Sequence, residues 1–177
     1  MSEPAPAAQS RVKRRFLLLA LAVLALDQWT KWLVESHLPH PSSREIVPGL
    51  FHLSHVKNTG VAFGLLADLG EAGAAWLLAL LGLAAITVVV VYFRRTPAQD
   101  KALLTALALV LGGAVGNLID RVTRGAVTDF LGVYIGSYRW PDFNVADSAI
   151  SIGLALLLID SIRSRPPAPA AAAPDGP

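Results

Sequence analysis

The sequence predicts an all-α membrane protein, with four transmembrane helices and a small extracytoplasmic β-sheet or hairpin element. Three observations predict it. Of 177 residues, 54% are hydrophobic and 16% charged, where soluble domains carry about 25% charged residues. The apolar residues gather into long runs instead of recurring at amphipathic spacing. The ionisable residues that interrupt these runs collect toward one end of the bundle that four antiparallel spans would form. This composition excludes collagen-like, disordered and nucleic-acid-binding readings of the whole chain. The absence of cysteine excludes disulfides, thiolate metal sites and a cysteine nucleophile.

Taken in order, residues 1–15 form a polar, Pro/Ala-rich arm ending in Arg11, Lys13, Arg14 and Arg15, expected to be disordered and cytoplasmic. The spans are 16–34, 72–93, 102–119 and 143–162, each close to the roughly 20 residues that cross a hydrocarbon core of about 30 Å. The basic start followed by FLLLALAVLAL resembles a secretory signal peptide. The residues after it are Asp-Gln-Trp-Thr-Lys-Trp rather than small ones, so an uncleaved anchor is expected. Lys and Arg set the orientation. With the N-terminus inside, nine of them fall on the cytoplasmic side and five outside, so both termini are expected inside.

Two extracytoplasmic segments remain, 35–71 and 120–142. In the first, alternation over Gly49–Val56, a turn signal at Lys57-Asn58-Thr59-Gly60 and a short apolar run over Val61–Gly64 predict a hairpin at the interface. Val127–Leu131 and Val133–Ile135 offer further strands. The tail, 163–177, is Ala/Pro-rich and expected to be disordered.

Ionisable groups inside spans are expensive, so each asks for a reason. Asp27 and Lys31 lie four apart on one helix face and can pair. The topology gathers Asp27, Lys31, Asn117, Asp120, Arg121, Asp129, Asn144 and Asp147 at a single level of the bilayer. Asp27 with Lys31 and Asp120 with Arg121 have structural readings as ion pairs. Asp147, one turn into an apolar helix, has helix N-terminal stabilisation as its bland reading. Gly112-x-x-x-Gly116 reads as close helix packing. His37, His40, His52 and His55 form H-x-x-H pairs, but on a strand His52 and His55 would point to opposite faces; no metal site and no cofactor is expected. There is no G-x-S-x-G, and Ser148 and Ser151 have no histidine to activate them.

Two buried carboxylates held close can hydrolyse a peptide bond, because they cannot both ionise easily: one keeps a proton while the other acts as base. Asp129 and Asp147 suit this chemistry, since neither has an adjacent basic residue; Asp120 and Asp27 stand next in line. A small proton-coupled membrane transporter is the rival, because intramembrane Asp and Lys also build proton relays. It would spread polar groups through the full depth of the membrane, whereas the second span has none. A non-catalytic assembly factor is a third reading.

Five blocks, Asp27-Gln28-Trp29-Thr30-Lys31, Asn58-Thr59-Gly60-Val61-Ala62-Phe63, Gly116-Asn117-Leu118-Ile119-Asp120-Arg121, Val127-Thr128-Asp129-Phe130 and Phe143-Asn144-Val145-Ala146-Asp147, appear in that order. Together they resemble the bacterial lipoprotein signal peptidase family, signal peptidase II, over residues 16–162. The resemblance implies an intramembrane aspartic endopeptidase of the bacterial inner membrane. It would cut the signal peptide from a prolipoprotein just before a diacylglyceryl-modified cysteine. It puts the catalytic pair on Asp129 and Asp147 and matches Asn58, Asn117, Arg121 and Asn144 to positions that line or support the site; Gly60, Phe63 and Asp120 are expected beside them as substrate-binding or supporting residues. Asp27 and Lys31 take a structural role. Globomycin-type cyclic peptides are the implied inhibitors; separately, the 35–71 segment, with Phe63, Gly60 and Gly64, is expected to clamp over the substrate, and a monomer is expected.

Overall fold

The computed structural model describes residues 6–60 and 70–163. Among them the order is α1 (Pro6–His37), β1 (Ser42–Val47), β2 (Phe51–Asn58), α2 (Gly70–Arg95), α3 (Lys101–Arg124), β3 (Val127–Ile135), β4 (Tyr138–Phe143) and α4 (Val145–Arg163). All four helices are long and apolar enough to cross a membrane.

α1 begins ten residues before the expected span, so residues 6–15 continue the helix instead of forming a disordered arm. The physical reason lies in the composition of PAAQSRVKRR. Ala, Gln, Arg and Lys are strong helix formers, and proline is tolerated in a first helical turn. Lys13 Nζ also donates to the carbonyl oxygen of Arg94 at 2.7 Å, tying this extension to the end of α2.

α3 is the axis, and the other three helices all pack on it. Between helices in lipid, apolar burial supplies little net drive, so association depends on close van der Waals approach through small residues. α3 provides them. A Cβ at Gly112 would sit 2.5 Å from the carbonyl oxygen of Ala20 on α1, and one at Gly113 would sit 2.4 Å from that of Ala146 on α4. In the Gly112/Gly116 pair, Gly112 therefore serves close packing on α1, and Gly116 makes room for the Asp27 carboxylate, whose Oδ2 would lie 2.5 Å from a Cβ there. Large side chains such as Leu18, Leu21, Leu80, Val88, Leu158 and Ile162 point outward, which suits a lipid-facing surface.

Asp100 caps the start of α3 by accepting from the Leu103 amide at 3.1 Å. At the other end Gly125 takes a left-handed conformation, φ 73°, and its amide returns to Arg121. That reversal starts β3 within two residues, which brings Asp129 back over the end of the bundle.

The sheet is four-stranded and antiparallel, in the order β1-β2-β3-β4. It corrects the expected hairpin in two respects. The partner of β2 on its own segment is β1, joined through Pro48-Gly49, while Val61–Gly64 lie outside the described residues. Lys57 and Asn58, read as a turn, are the last residues of β2 and pair with Thr128 and Val127. The turn signal was real in composition, but a neighbouring strand in register extends a ladder past it. Likewise Phe143 ends β4, so the fourth helix starts at Val145.

Candidate active site

The site is a polar layer enclosed at the sheet end of the bundle. Asp27, Lys31, Asp120, Thr128 and Asn144 are fully buried, and Asp129 and Asn117 nearly so. Buried charges persist only when paired and hydrogen-bonded, and each of these is. Lys31 Nζ lies 2.8 Å from Asp27 Oδ2, 2.7 Å from Asp120 Oδ2 and 3.0 Å from Asn117 Oδ1, so all three ammonium protons have acceptors. Asp27 also accepts the amide of Ala146 at 2.9 Å, satisfying one of the orphan N–H groups at the start of α4 from across the bundle. The expected pairing of Asp120 with Arg121 is not formed. Successive helical residues diverge by about 100°, and Asp120 turns instead to Lys31 and Arg124.

Above this ionic core lies a frame of asparagines. Asn144 precedes α4 and accepts the Asp147 amide at 2.9 Å, while Asp147 Oδ2 accepts the Asn144 amide at 3.2 Å. This is a reciprocal capping box, so the helix-terminal role of Asp147 exists, yet it leaves Oδ1 free to accept from Asn117 Nδ2 at 2.8 Å. Asn144 Nδ2 in turn donates to Asp129 Oδ1 at 2.8 Å. The other oxygen of Asp129 accepts from Asn58 Nδ2 at 2.9 Å. Asn144 thus touches both carboxylates, that of Asp129 through its side-chain nitrogen and that of Asp147 through its backbone N–H.

Burial pushes the Asp129 carboxyl up to about 7, with the Asn58 hydrogen bond opposing the shift and the nearby charge of Asp147 adding to it. Arg121, with its Nε buried and unpartnered, lies within Coulombic reach of Asp147, Asp129 and Asp120. Two clefts flank the pair. One of about 410 Å³ has Asn58, Asp129 and Asp142 in its wall, and the other, of about 320 Å³, has Asp147, Ser148 and Trp140.

Of the remaining expected residues, Gly60 has φ 83° and donates its amide to Asn58 Oδ1 at 2.9 Å. A Cβ there would meet only the end of the Leu78 side chain, which can move aside, so it is the conformation that requires glycine. Phe63 lies outside the described residues. Of the histidines, His40 and His55 pack edge to face with ring centroids 5.0 Å apart, His55 Nδ1 meets the carbonyl oxygen of Leu38, and His52 lies against Tyr134. Among the described residues, no three His, Cys, Asp or Glu side chains gather as a metal site would need.

Sequence reasoning missed Gln28, Glu35, Lys57 and Arg124. Gln28 donates to Asp120 Oδ1 at 3.0 Å and Lys57 Nζ to Glu35 at 2.5 Å. The available signal was spacing, since Asp27, Lys31 and Glu35 recur every fourth residue on one face of α1.

Four apolar helices make the chain a multi-pass membrane protein, and its similarity to known proteins makes it a peptidase of the aspartic class. The family model described as signal peptidase (SPase) II matches residues 19–163. A lipoprotein signal peptidase of Halalkalibacterium halodurans is 40% identical over 148 residues, 84% of this chain and 92% of that protein. One of Geobacter sulfurreducens is 43% identical over 150 residues, covering 85% and 92%. Two solved structures of bacterial membrane enzymes obtained by the in meso method superpose with TM-scores of 0.75 and 0.76 at 29% identity. They cover 84% and 85% of this chain, and 88% and 94% of their own. The chain belongs to the signal peptidase II family. Its activity is the cleavage of lipoprotein signal peptides, and the transporter reading is not favoured.

Proposed function

We propose that the chain cuts a diacylglyceryl-modified prolipoprotein just before the lipidated cysteine, with Asp129 and Asp147 as the catalytic pair. The observation that carries this is the asparagine frame, in which Asn144 reaches both carboxylates between two clefts, donating its side-chain amide to Asp129 and its backbone amide to Asp147. Asp129, raised toward neutral pH, holds the proton and donates it to the scissile carbonyl oxygen. Asp147 acts as base. It takes a proton from water as the water oxygen attacks the carbonyl carbon, and the C–O bond forms as the carbonyl π pair moves to oxygen. When the tetrahedral species collapses, the C–N bond breaks, Asp147 delivers its proton to the leaving nitrogen and Asp129 recovers its own. Asn58, Asn117 and Asn144 hold both acids in place, Gly60 shapes the entry, and Arg121 supplies positive potential where negative charge develops. Asp120 supports this layer by pairing with Lys31, while Asp27 with Lys31 is structural.

The protein sits in the bacterial inner membrane with both termini cytoplasmic and the site at the periplasmic face. There the acyl chains of the substrate stay in the bilayer, and their anchoring, about 0.8 kcal/mol per buried CH₂, sets the level of the scissile bond. It works as a monomer, without a cofactor, and takes globomycin-type peptides as inhibitors. The test is cleavage of a purified diacylglyceryl-modified prolipoprotein by wild type beside Asp129→Asn and Asp147→Asn, each shown to be folded. Asparagine is nearly isosteric and cannot shuttle the proton, so both variants are expected to be inert. Near-normal activity in either removes that residue from the pair.

A further inference from the structure

The strands that present Asp129 and Asn58 carry a second charged assembly on their opposite face. Asn58 and Asp129 turn toward α4, whereas their neighbours Lys57 and Thr128, paired directly across the ladder, turn toward the ends of α1 and α3. There Glu35 Oε1 accepts from Lys57 Nζ at 2.5 Å and from Thr128 Oγ1 at 2.6 Å. Lys57 Nζ also donates to Thr128 Oγ1 at 2.8 Å, and Glu35 Oε2 lies 3.5 Å from Arg124 Nε. Arg124 continues to Asp120, Asp120 to Lys31 and Lys31 to Asp27. Along this path the acids Glu35, Asp120 and Asp27 alternate with the bases Lys57, Arg124 and Lys31, and their formal charges cancel. The cleavage chemistry above makes no use of Glu35, Lys57 or Arg124.

The geometry points to Glu35 as a positioning residue for the peptidase reaction: it clamps Lys57 and Thr128 so that Asn58 and Asp129 face the site, and it neutralises the lysine beside Asp129. This rests on the reading of Asp129 as a catalytic acid. Two physical arguments support it. The β2–β3 register shifts at an irregularity between Leu53 and Val56, immediately before the site residues. A slip of one residue there would leave Asn58 and Asp129 on different faces. The Glu35 cluster pins the ladder at the first direct pair beyond Val56.

The second argument is electrostatic. Asp129 faces Asp147 from α4, Arg121 from α3 and Lys31 from α1, while Lys57 of β2 and Asp142 of β4 border the same cleft. Without the charge of Glu35, Lys57 and Arg124 lose a counter-ion and the potential at Asp129 becomes more positive. Its proton then leaves at lower pH. The cluster is part-exposed, with Glu35 24% and Lys57 30% accessible, so its contribution to folding is small and a catalytic effect is separable from it.

The test measures kcat, KM and the pH–rate profile of the full-length protein on a diacylglyceryl-modified prolipoprotein. The variants are Glu35→Gln, Glu35→Asp, Glu35→Gln with Lys57→Gln, and Asp129→Asn. Glu35→Gln is expected to lower kcat by about tenfold with little change in KM, and to move the alkaline limb to lower pH. Glu35→Asp should keep the limb in place, and the double variant, neutral again, should return it. A folded Glu35→Gln with wild-type kcat and limb overturns the proposal, as does a lowered kcat with an unmoved limb. If Glu35→Gln does not fold, Thr128→Val, which removes only the hydroxyl link, must lower kcat, and an unchanged kcat overturns the proposal. Activity in Asp129→Asn would instead overturn the assignment of the catalytic pair, and is read separately.

Discussion

Replacing Asp129 by asparagine should change how stability depends on pH, not only abolish cleavage. In the folded protein burial raises this carboxyl from 3.8 to about 7, against a hydrogen bond from Asn58 and with help from the charge of Asp147. Between those values the folded state holds a proton that the unfolded state has released. Stability therefore falls as pH rises through the window. The slope for one such group is about 1.36 kcal/mol per pH unit. Over the span from 3.8 to about 7 the total is roughly 4 kcal/mol as a ceiling.

Asparagine carries no such proton, so the variant lacks this slope. Its amide nitrogen also meets a donor, either Asn58 Nδ2 or Asn144 Nδ2. That costs about 1–3 kcal/mol, but the offset is the same at every pH. Equilibrium unfolding in mixed micelles from about pH 4 to about pH 8.5 reads the two apart. The stability of Asp129→Asn relative to wild type should climb with pH and level off once wild-type Asp129 is ionised. A difference independent of pH would refute the reasoning, whatever its sign.

Other perturbations test the rest of the site. The pH–rate profile of wild type should lose activity on an alkaline limb near 7, where Asp129 gives up its proton; a flat profile through that region would remove it as the acid. Asn144→Ala strips a hydrogen bond that favours the ionised form of Asp129, so that limb should move to higher pH while kcat falls by about a hundredfold, measured on the same substrate. Lys31→Met leaves Asp27 and Asp120 buried without their shared cation. Unfolding should show a loss of about 3–5 kcal/mol, and a smaller loss than for an exposed ion pair would contradict the buried core. Gly113→Ala forces a Cβ to within 2.4 Å of a backbone oxygen of α4 and should cost about 1–3 kcal/mol. Gly82→Ala, with nothing within 4 Å, is the control and should cost little.

The four helices were legible because their signal is local. A run such as Ala72–Phe93 is apolar for the thickness of a bilayer whatever it packs against. Their ends were less so, since propensity, not hydropathy, carries α1 back to Pro6, and a capping box, not the apolar run, starts α4 after Asn144. The sheet was half legible. Alternation marked β2, but its partner β1, SSREIV, has little of the pattern because nearly all of it is exposed.

By itself the sequence determined which polar residues stand at one end of a four-span bundle, because burying a charge in lipid is so unfavourable that each exception is informative. It could not determine their partners. Lys31 bonds to Asp120, Asn117 to Asp147 and Asn58 to Asp129, all pairs distant in the chain. Hydrogen bonds reach about 3 Å, and only packing on α3 and the β2–β3 register bring these atoms that close. The division of β2 and β3 into a face that holds Asp129 and a face that holds Glu35 was likewise settled by tertiary structure. Side chains alternate along any strand, but which side meets the site depends on what each side is packed against.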